Sequence, residues 1–305
     1  MDEITVHSPA TVSNVVCGFD CLGFALRAPY DTITLRKTDT PEIRIVNRDE
    51  YDLPTDPTKN VAGVAVQAMT DAAAIKHGFE IEITKGIKPG SGIGSSSASS
   101  CGAVFAANEL LLQPFSKLDL VEFAMAGEAL ASGSRHADNA APCIFGGFVL
   151  VRSTDPLDVV TLDFPPMFAT VIHPQIEVKT SEARAILPKE VPLADAVRNW
   201  SNLGSLVAAL AKRDYDLIAR SLVDTIVEPA RKTLIPKFDE VKHACLDTGA
   251  IGGGISGSGP SMFMLSRDET TATAVANAMS DVYASTGIEF HMYISPIESS
   301  GVRVA

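Results

Sequence analysis

Apolar and polar residues alternate with a period of two over residues 31–36 (DTITLR), 42–46 (EIRIV) and 79–84 (FEIEIT), which predicts strands with one face in a core. Between and after them, residues 60–77, 96–112 and 117–131 carry the three-to-four residue spacing of amphipathic helices. Two apolar runs, CIFGGFVLV (143–151) and FATVIHP (168–174), predict further strands, and the polar, proline-containing stretch between them reads as connection. The second half repeats the mixture, with helices at 195–211, 214–227 and 269–285 and strands at 261–265 and 288–294. The class is α+β. The change of pattern puts a domain boundary near residue 155, giving domains over 1–155 and 156–305, with no internal repeat or low-complexity tract.

Composition narrows the function more than the fold. With 305 residues, 46% of them hydrophobic, the chain can bury a large core and most simply forms two domains. No apolar run reaches the roughly 18 residues that span a bilayer, and the opening MDEITVHSP carries acids in place of a basic leader, so a soluble, cytoplasmic protein away from membranes is expected. Five cysteines, odd in number and without zinc-type spacing, predict reduced thiols. A net charge of −12 argues against a nucleic-acid surface. An anionic ligand must therefore be met by a local device.

One candidate stands where a strand hands over to a helix. Residues 89–100, PGSGIGSSSASS, place three glycines and six serines in twelve positions. Gly90, Gly92 and Gly94 can take positive φ and let the backbone close on a ligand, while Ser95, Ser96 and Ser97 can cap the helix and offer hydroxyls. Backbone N–H groups and a helix N-terminus bind phosphates without lysine. The alternative, a flexible linker, fits poorly between a strand and a helix. No G-x-x-x-x-G-K-[ST] sequence occurs, so this is not a Walker A loop. A second cluster, GGGISGSGPS (252–261), contains G-x-G-x-x-G, but Pro260 leads it into the strand-like SMFML rather than a helix. We expect a tight turn that approaches the site, against a plain surface loop.

Charged residues follow. Leu118, Val121 and Met125 form a helical stripe that Glu128 continues, so its carboxylate is expected half-buried, meeting a cation, protonating, or pairing locally with Lys117 or Arg135. His136 and Asn139 lie in the polar segment GSRHADNAAP and can equally be surface or capping groups, as can Asp20. Arg184 and Arg231 stand near prolines, and each could be ordinary solvated charge.

Together three motifs resemble those of the GHMP kinases. IKPGSGIGSSSASS is similar to their nucleotide loop and GGGISGSGPS to their C-terminal glycine motif. The opening PATVSNVVCGFDCLGFAL (9–26) resembles that of the homoserine kinases within the family, except that Val16 and Cys17 replace a usual Gly-Pro; Ile93 replaces a usual leucine in the loop. The resemblance implies an N-terminal domain like domain 2 of ribosomal protein S5, a ferredoxin-like C-terminal domain, and a homodimer. It implies ATP bound by Pro89, Gly90, Ser91, Gly92, Ile93, Gly94, Ser95, Ser96, Ser97, Ala98 and Ser99, and Mg²⁺ held by Ser96 and Glu128. Asn14, Asp20, His136, Asn139, Arg184 and Arg231 would position L-homoserine, the arginine forks taking its carboxylate.

Catalysis of that kind is mostly positioning and charge neutralisation, carried by Asn139, Glu128 and Ser96. Asn139 stands where other members of the family carry an aspartate, and an amide is no base. Asp138 adjoins it, but neighbouring side chains rarely face the same way, so no general base is expected. Two rival readings are another GHMP kinase with a sugar or mevalonate-like acceptor, and an ATP-binding sensor without activity. Glu128 speaks against the sensor, and the two arginines against a neutral sugar.

Overall fold

A computed structural model of the chain describes residues 2–73 and 75–305. In chain order the elements are β1 (Glu3–Ser13), β2 (Leu22–Thr38), β3 (Ile43–Asn47), α1 (Val61–Ala72), β4 (Gly78–Thr84), α2 (Ser95–Leu110), α3 (Lys117–Ser132), α4 (Ala140–Phe145), β5 (Phe148–Thr154) and β6 (Leu157–Leu162). The second half adds β7 (Phe168–Pro174), α5 (Thr180–Ala185), α6 (Leu193–Lys212), α7 (Tyr215–Ser221), α8 (Glu228–Arg231), α9 (Phe238–Asp247), β8 (Gly252–Ile255), β9 (Met262–Ser266), α10 (Glu269–Ala284), β10 (Phe290–Pro296) and β11 (Arg303–Val304).

Two sheets organise these elements. The first runs β11-β1-β2-β4-β3, with β5 and β6 joining it through β2; the second is β10-β7-β9-β8, antiparallel throughout. The change of sheet falls between Leu162 and Phe168, and β11 returns to the first sheet from the C-terminus. In β4 the alternation works as expected: Phe79, Ile81 and Ile83 point into the core, each contributing about 1.5–3 kcal/mol of burial, while Glu80 and Glu82 pair outward with Arg36. That core is closed by α1, α2, α3 and α4. A second cluster joins the opening strands to β7 and β9, and a third lies beneath α9 and α10.

Several elements depart from their sequence signals. The first helix stops at Ala72 instead of reaching 77; Ala74, within that stretch, lies outside the described residues. Cys143, Ile144 and Phe145 end α4 and do not open a strand, because Gly146 and Gly147, both at positive φ, turn the chain before β5 begins. The helix expected over 214–227 ends at Ser221, and Gly252–Ile255 is a strand, so the second glycine cluster turns only after Ile255. Among the described residues no helix is long and apolar enough to cross a membrane, and all five cysteines are free thiols.

Candidate active site

A cleft of about 370 Å³ opens where the two sheets meet, and its walls come from both halves of the chain. On one side lies the glycine loop. Gly90, Gly92 and Gly94 take φ of 74°, 79° and 71°, the left-handed region that favours glycine. Two of them are also held by close approach. A Cβ at Gly94 would sit 2.0 Å from Thr11 Oγ1, and one at Gly92 would sit 2.6 Å from the Gly259 carbonyl. The glycine turn of the second half reaches across to fix this loop: Ser256 Oγ donates to Gly92 O at 2.8 Å and Ser261 Oγ to Ser91 O at 2.6 Å.

The helix start differs from expectation. Ser95 is already the first helical residue of α2 and Gly94 is the N-cap, so Ser95, Ser96 and Ser97 are not caps. Gly94 has no side chain with which to cap the first N–H groups of α2, and Gly92, Gly94, Ser95 and Ser96 line the cleft. A 16-residue helix thus turns its N-terminus to the cleft wall without a cap from its own N-cap residue, an arrangement suited to an anion.

Glu128 reaches the same wall from α3 and is more deeply buried than its stripe suggested, only 6% exposed. Leu118, the stripe's first member, is exposed, so the buried face starts at Val121. Burial pushes the Glu128 carboxyl up to about 7, opposed by hydrogen bonds from Ser96 and Ser97 and by the Lys85 charge. Lys117 instead lies over the Phe145 ring. Among the described residues no cluster of three or more His, Cys, Asp and Glu could hold a metal by itself. A single buried carboxylate beside a hydroxyl does fit a hard cation that shares its coordination with phosphate oxygens.

One residue of this wall, Lys85, and the acid behind it, Asp31, went unnoticed in the sequence. Lys85, 2% exposed, is ion-paired with Asp31, 0% exposed, and its ammonium also donates to Ser95 O at 2.8 Å and Ser99 Oγ at 2.9 Å. Asp31 in turn accepts from the N–H groups of Gly86 and Ile87, both at 3.1 Å. The pair pins the start of the glycine loop to the first turn of α2. The available signal was a lone acid opening the alternating DTITLR and a lysine closing FEIEIT, two charges that β-pairing sets side by side.

The remaining wall is charged. Arg184 on α5 grips Asp20 in bidentate fashion, at 3.0 and 3.1 Å, and lies 3.2 Å from His136 Nε2. Arg231, 3% exposed, donates to Ala183 O at 3.0 Å and Gly257 O at 3.1 Å. Asn14 donates to Gly257 O at 2.6 Å and accepts from Asp20 N at 2.9 Å, closing the loop over 14–20. That loop holds Asn14, Val15, Val16 and Asp20 at positive φ. At Val16, where the family's usual glycine is absent, φ is 60°, uncommon for a β-branched residue. Asn139 bonds both Thr11 Oγ1 at 2.7 Å and Ser13 Oγ at 3.0 Å. Asp138 overturns an expectation: it and Asn139 both line the cleft. Its carboxyl is buried and pushed up to about 6, first by desolvation and then by the Asp20 charge.

All of Asn14, Asp20, Glu128, His136, Asn139, Arg184 and Arg231 therefore meet in one cleft with Pro89, Gly90, Gly92, Gly94, Ser95, Ser96 and Ser99. Ser91, Ile93, Ser97 and Ala98 do not line it; all four are buried behind the loop and helix start. Residues 60–147 match the family model for the GHMP kinases N terminal domain, and residues 206–285 that for the GHMP kinases C terminal domain. The chain belongs to the GHMP kinase family. That makes it an ATP-dependent enzyme that phosphorylates a hydroxyl group. This GHMP kinase is 45% identical to a homoserine kinase of Chloroherpeton thalassium, covering 100% of both chains, and 41% identical to one of Methanocella arvoryzae, covering 100% of this chain and 98% of that one. Among solved structures it matches a homoserine kinase from Cytophaga hutchinsonii with a TM-score of 0.96 at 49% identity, over 100% of this chain and 98% of the other. An L. major mevalonate kinase in complex with R-mevalonate shares the fold, with a TM-score of 0.73 at 14% identity over 97% and 96% of the two chains.

Proposed function

We propose that this GHMP kinase transfers the γ-phosphoryl group of ATP to the side-chain hydroxyl of L-homoserine, giving O-phospho-L-homoserine for threonine biosynthesis in the cytoplasm. The observation that carries the reading is the Asp20–Arg184 pair beside Arg231 and Asp138. An amino-acid zwitterion brings one charge of each sign, so it can part that pair and leave neither residue unpartnered. A sugar offers no such exchange, and a mevalonate-like acid would leave Asp20 without a cation. Asp20 and Asp138 then seat the ammonium, Arg184 and Arg231 the carboxylate, while His136 and Asn14 hold the frame.

The backbone of residues 89–99 and the N-terminus of α2 cradle the phosphates. Ser96 and Glu128 would hold Mg²⁺, which when bound supplies positive charge against the β- and γ-phosphates. Asn139, fixed by Thr11 and Ser13, orients the hydroxyl, and its proton passes to the departing phosphoryl group because a loose transition state asks little of a base. A homodimer belongs to the same reading. Exposed Leu193, Val197 and Trp200 on one face of α6 support it, and sedimentation would read the mass directly. The deciding experiment is ADP release by the purified protein with homoserine, mevalonate, galactose or no acceptor. Turnover with homoserine alone is expected; preference for another acceptor, or none at all, overturns the proposal.

A further inference from the structure

Two guanidinium groups that line this cleft share one aromatic ring behind it. Arg231 lies with its Cζ 5.0 Å from the Phe19 centroid and Arg184 with its Cζ 5.5 Å away, both within cation–π range. The two charges repel, and the repulsion is felt: Arg184 is one of the influences that lower the Arg231 pKa, after desolvation. Arg231 is buried and tethered to two carbonyls, whereas Arg184 is 42% exposed and its main polar partner is Asp20, which a substrate ammonium would take. Once a zwitterion takes Asp20 away, the ring face, the His136 contact and the new carboxylate oppose the swing of Arg184 into solvent. Phe19 itself does not line the cleft.

We propose that Phe19 is a positioning residue, whose ring holds Arg184 and Arg231 together as one two-pronged receptor for the substrate carboxylate. The inference rests on the reading of the acceptor as an amino acid. It places the energetic effect in acceptor binding alone: the ring face acts through arginines that touch neither ATP nor the reacting hydroxyl. Leucine keeps apolar volume without a quadrupole, and tyrosine keeps the ring face.

The test is steady-state kinetics of wild type, Phe19→Leu, Phe19→Met and Phe19→Tyr. The acceptors are L-homoserine and 2-amino-1,4-butanediol, which keeps the ammonium and the reacting hydroxyl but has no carboxylate. Phe19→Leu is expected to raise KM for homoserine roughly tenfold, with KM for ATP and kcat within about twofold of wild type. The diol's KM is expected not to move, and Phe19→Tyr to restore the homoserine value. Phe19→Met serves the same purpose if the leucine variant does not fold. An unchanged homoserine KM, an equal rise in the KM for ATP or the diol, or a tyrosine variant no better than leucine overturns the proposal. If wild type fails to use homoserine, the substrate reading falls separately, and the ring is judged by the same series on whichever carboxylate-bearing acceptor the wild type phosphorylates.

Discussion

The two sides of the cleft solve opposite problems with different materials. On the proposed nucleotide side the ligand would be highly charged, yet the wall offers mostly backbone: three glycines at positive φ, the start of α2, and one lysine already committed to Asp31, Ser95 and Ser99. On the proposed acceptor side the wall is made of acidic and basic side chains, Asp20, Asp138, Arg184 and Arg231, drawn from four separate segments. Backbone donors are fixed once the chain is folded, so they recognise phosphate by shape at no further ordering cost. Side-chain ions can exchange partners, so they discriminate among small ligands by which charges a ligand brings. Under the function proposed above, the difference lets a chain of net charge −12 accept a polyphosphate while screening its second substrate by charge pattern.

The nucleotide side is broken most completely at its one carboxylate. Glu128→Gln keeps the shape and removes the charge, so turnover is expected to fall about a thousandfold or more with the circular dichroism spectrum unchanged. Near-normal turnover would remove Glu128 from the phosphate chemistry. The same variant has a pH signature. Burial raises the Glu128 pKa from 4.5 to about 7, so between those values the folded protein binds more protons than the unfolded chain. The stability this group contributes is complete below about pH 4.5 and is lost as pH rises through 7. In ligand-free protein the Tm of Glu128→Gln is therefore expected to gain on wild type from pH 4.5 to 8; a constant difference would contradict the buried carboxyl.

On the acceptor side the arginines separate recognition from support. Arg184→Ala and Arg231→Ala each remove a charge-assisted contact worth roughly 1.5–3 kcal/mol, which corresponds to a rise of about 10- to 150-fold in KM for homoserine with little change for ATP. Only Arg231→Ala is expected to lower Tm as well, because its buried guanidinium ties Ala183 to Gly257. Equal effects on both Michaelis constants would place these arginines outside the acceptor site. Asp138→Asn sharpens the line between the two sides. If Asp138 seats the ammonium, the variant raises KM and loses less than about a hundredfold in kcat, the low end of what a general base supplies. A greater loss in kcat would make Asp138 the base and end direct transfer of the proton.

The smallest effect expected is at Val16. Replacing it with glycine relieves left-handed strain of about 1–2 kcal/mol and forfeits about 1.5–3 kcal/mol of side-chain burial, so urea unfolding should find the variant within about 2 kcal/mol of wild type. Val12→Gly, fully buried near the end of β1 with no strain to relieve, is expected to lose more than that. Equal losses would mean that the loop over 14–20 stores no strain.

These contrasts follow what was readable in the chain. The glycine loop was legible because its demands are local: positive φ and close backbone approach leave glycine as the residue that fits, whatever packs around it. Glu128 was legible through helical periodicity, although the degree of burial was not, since Leu118 shares the period but faces water. The 143–151 run misled because apolar content marks burial without distinguishing a helix end from a strand start, and only the two glycines at 146 and 147 separate α4 from β5. Asp138 misled for a related reason: the turn into α4 lets consecutive residues face one cleft, which neither a strand nor a helix interior allows.

By itself the sequence determined the class of the fold, the conformation of the glycine loop, and the family, because each depends on short stretches whose geometry is set by neighbours along the chain. Only the tertiary structure brought together the charged wall of the cleft and the buried pair behind the glycine loop. Asp20 and Arg184 are 164 positions apart, and Lys85 meets Asp31 across 54. Each of those charges, taken alone in the chain, reads as solvated surface. What makes them a site is desolvation and mutual pairing, two quantities that exist only after distant segments have been packed together.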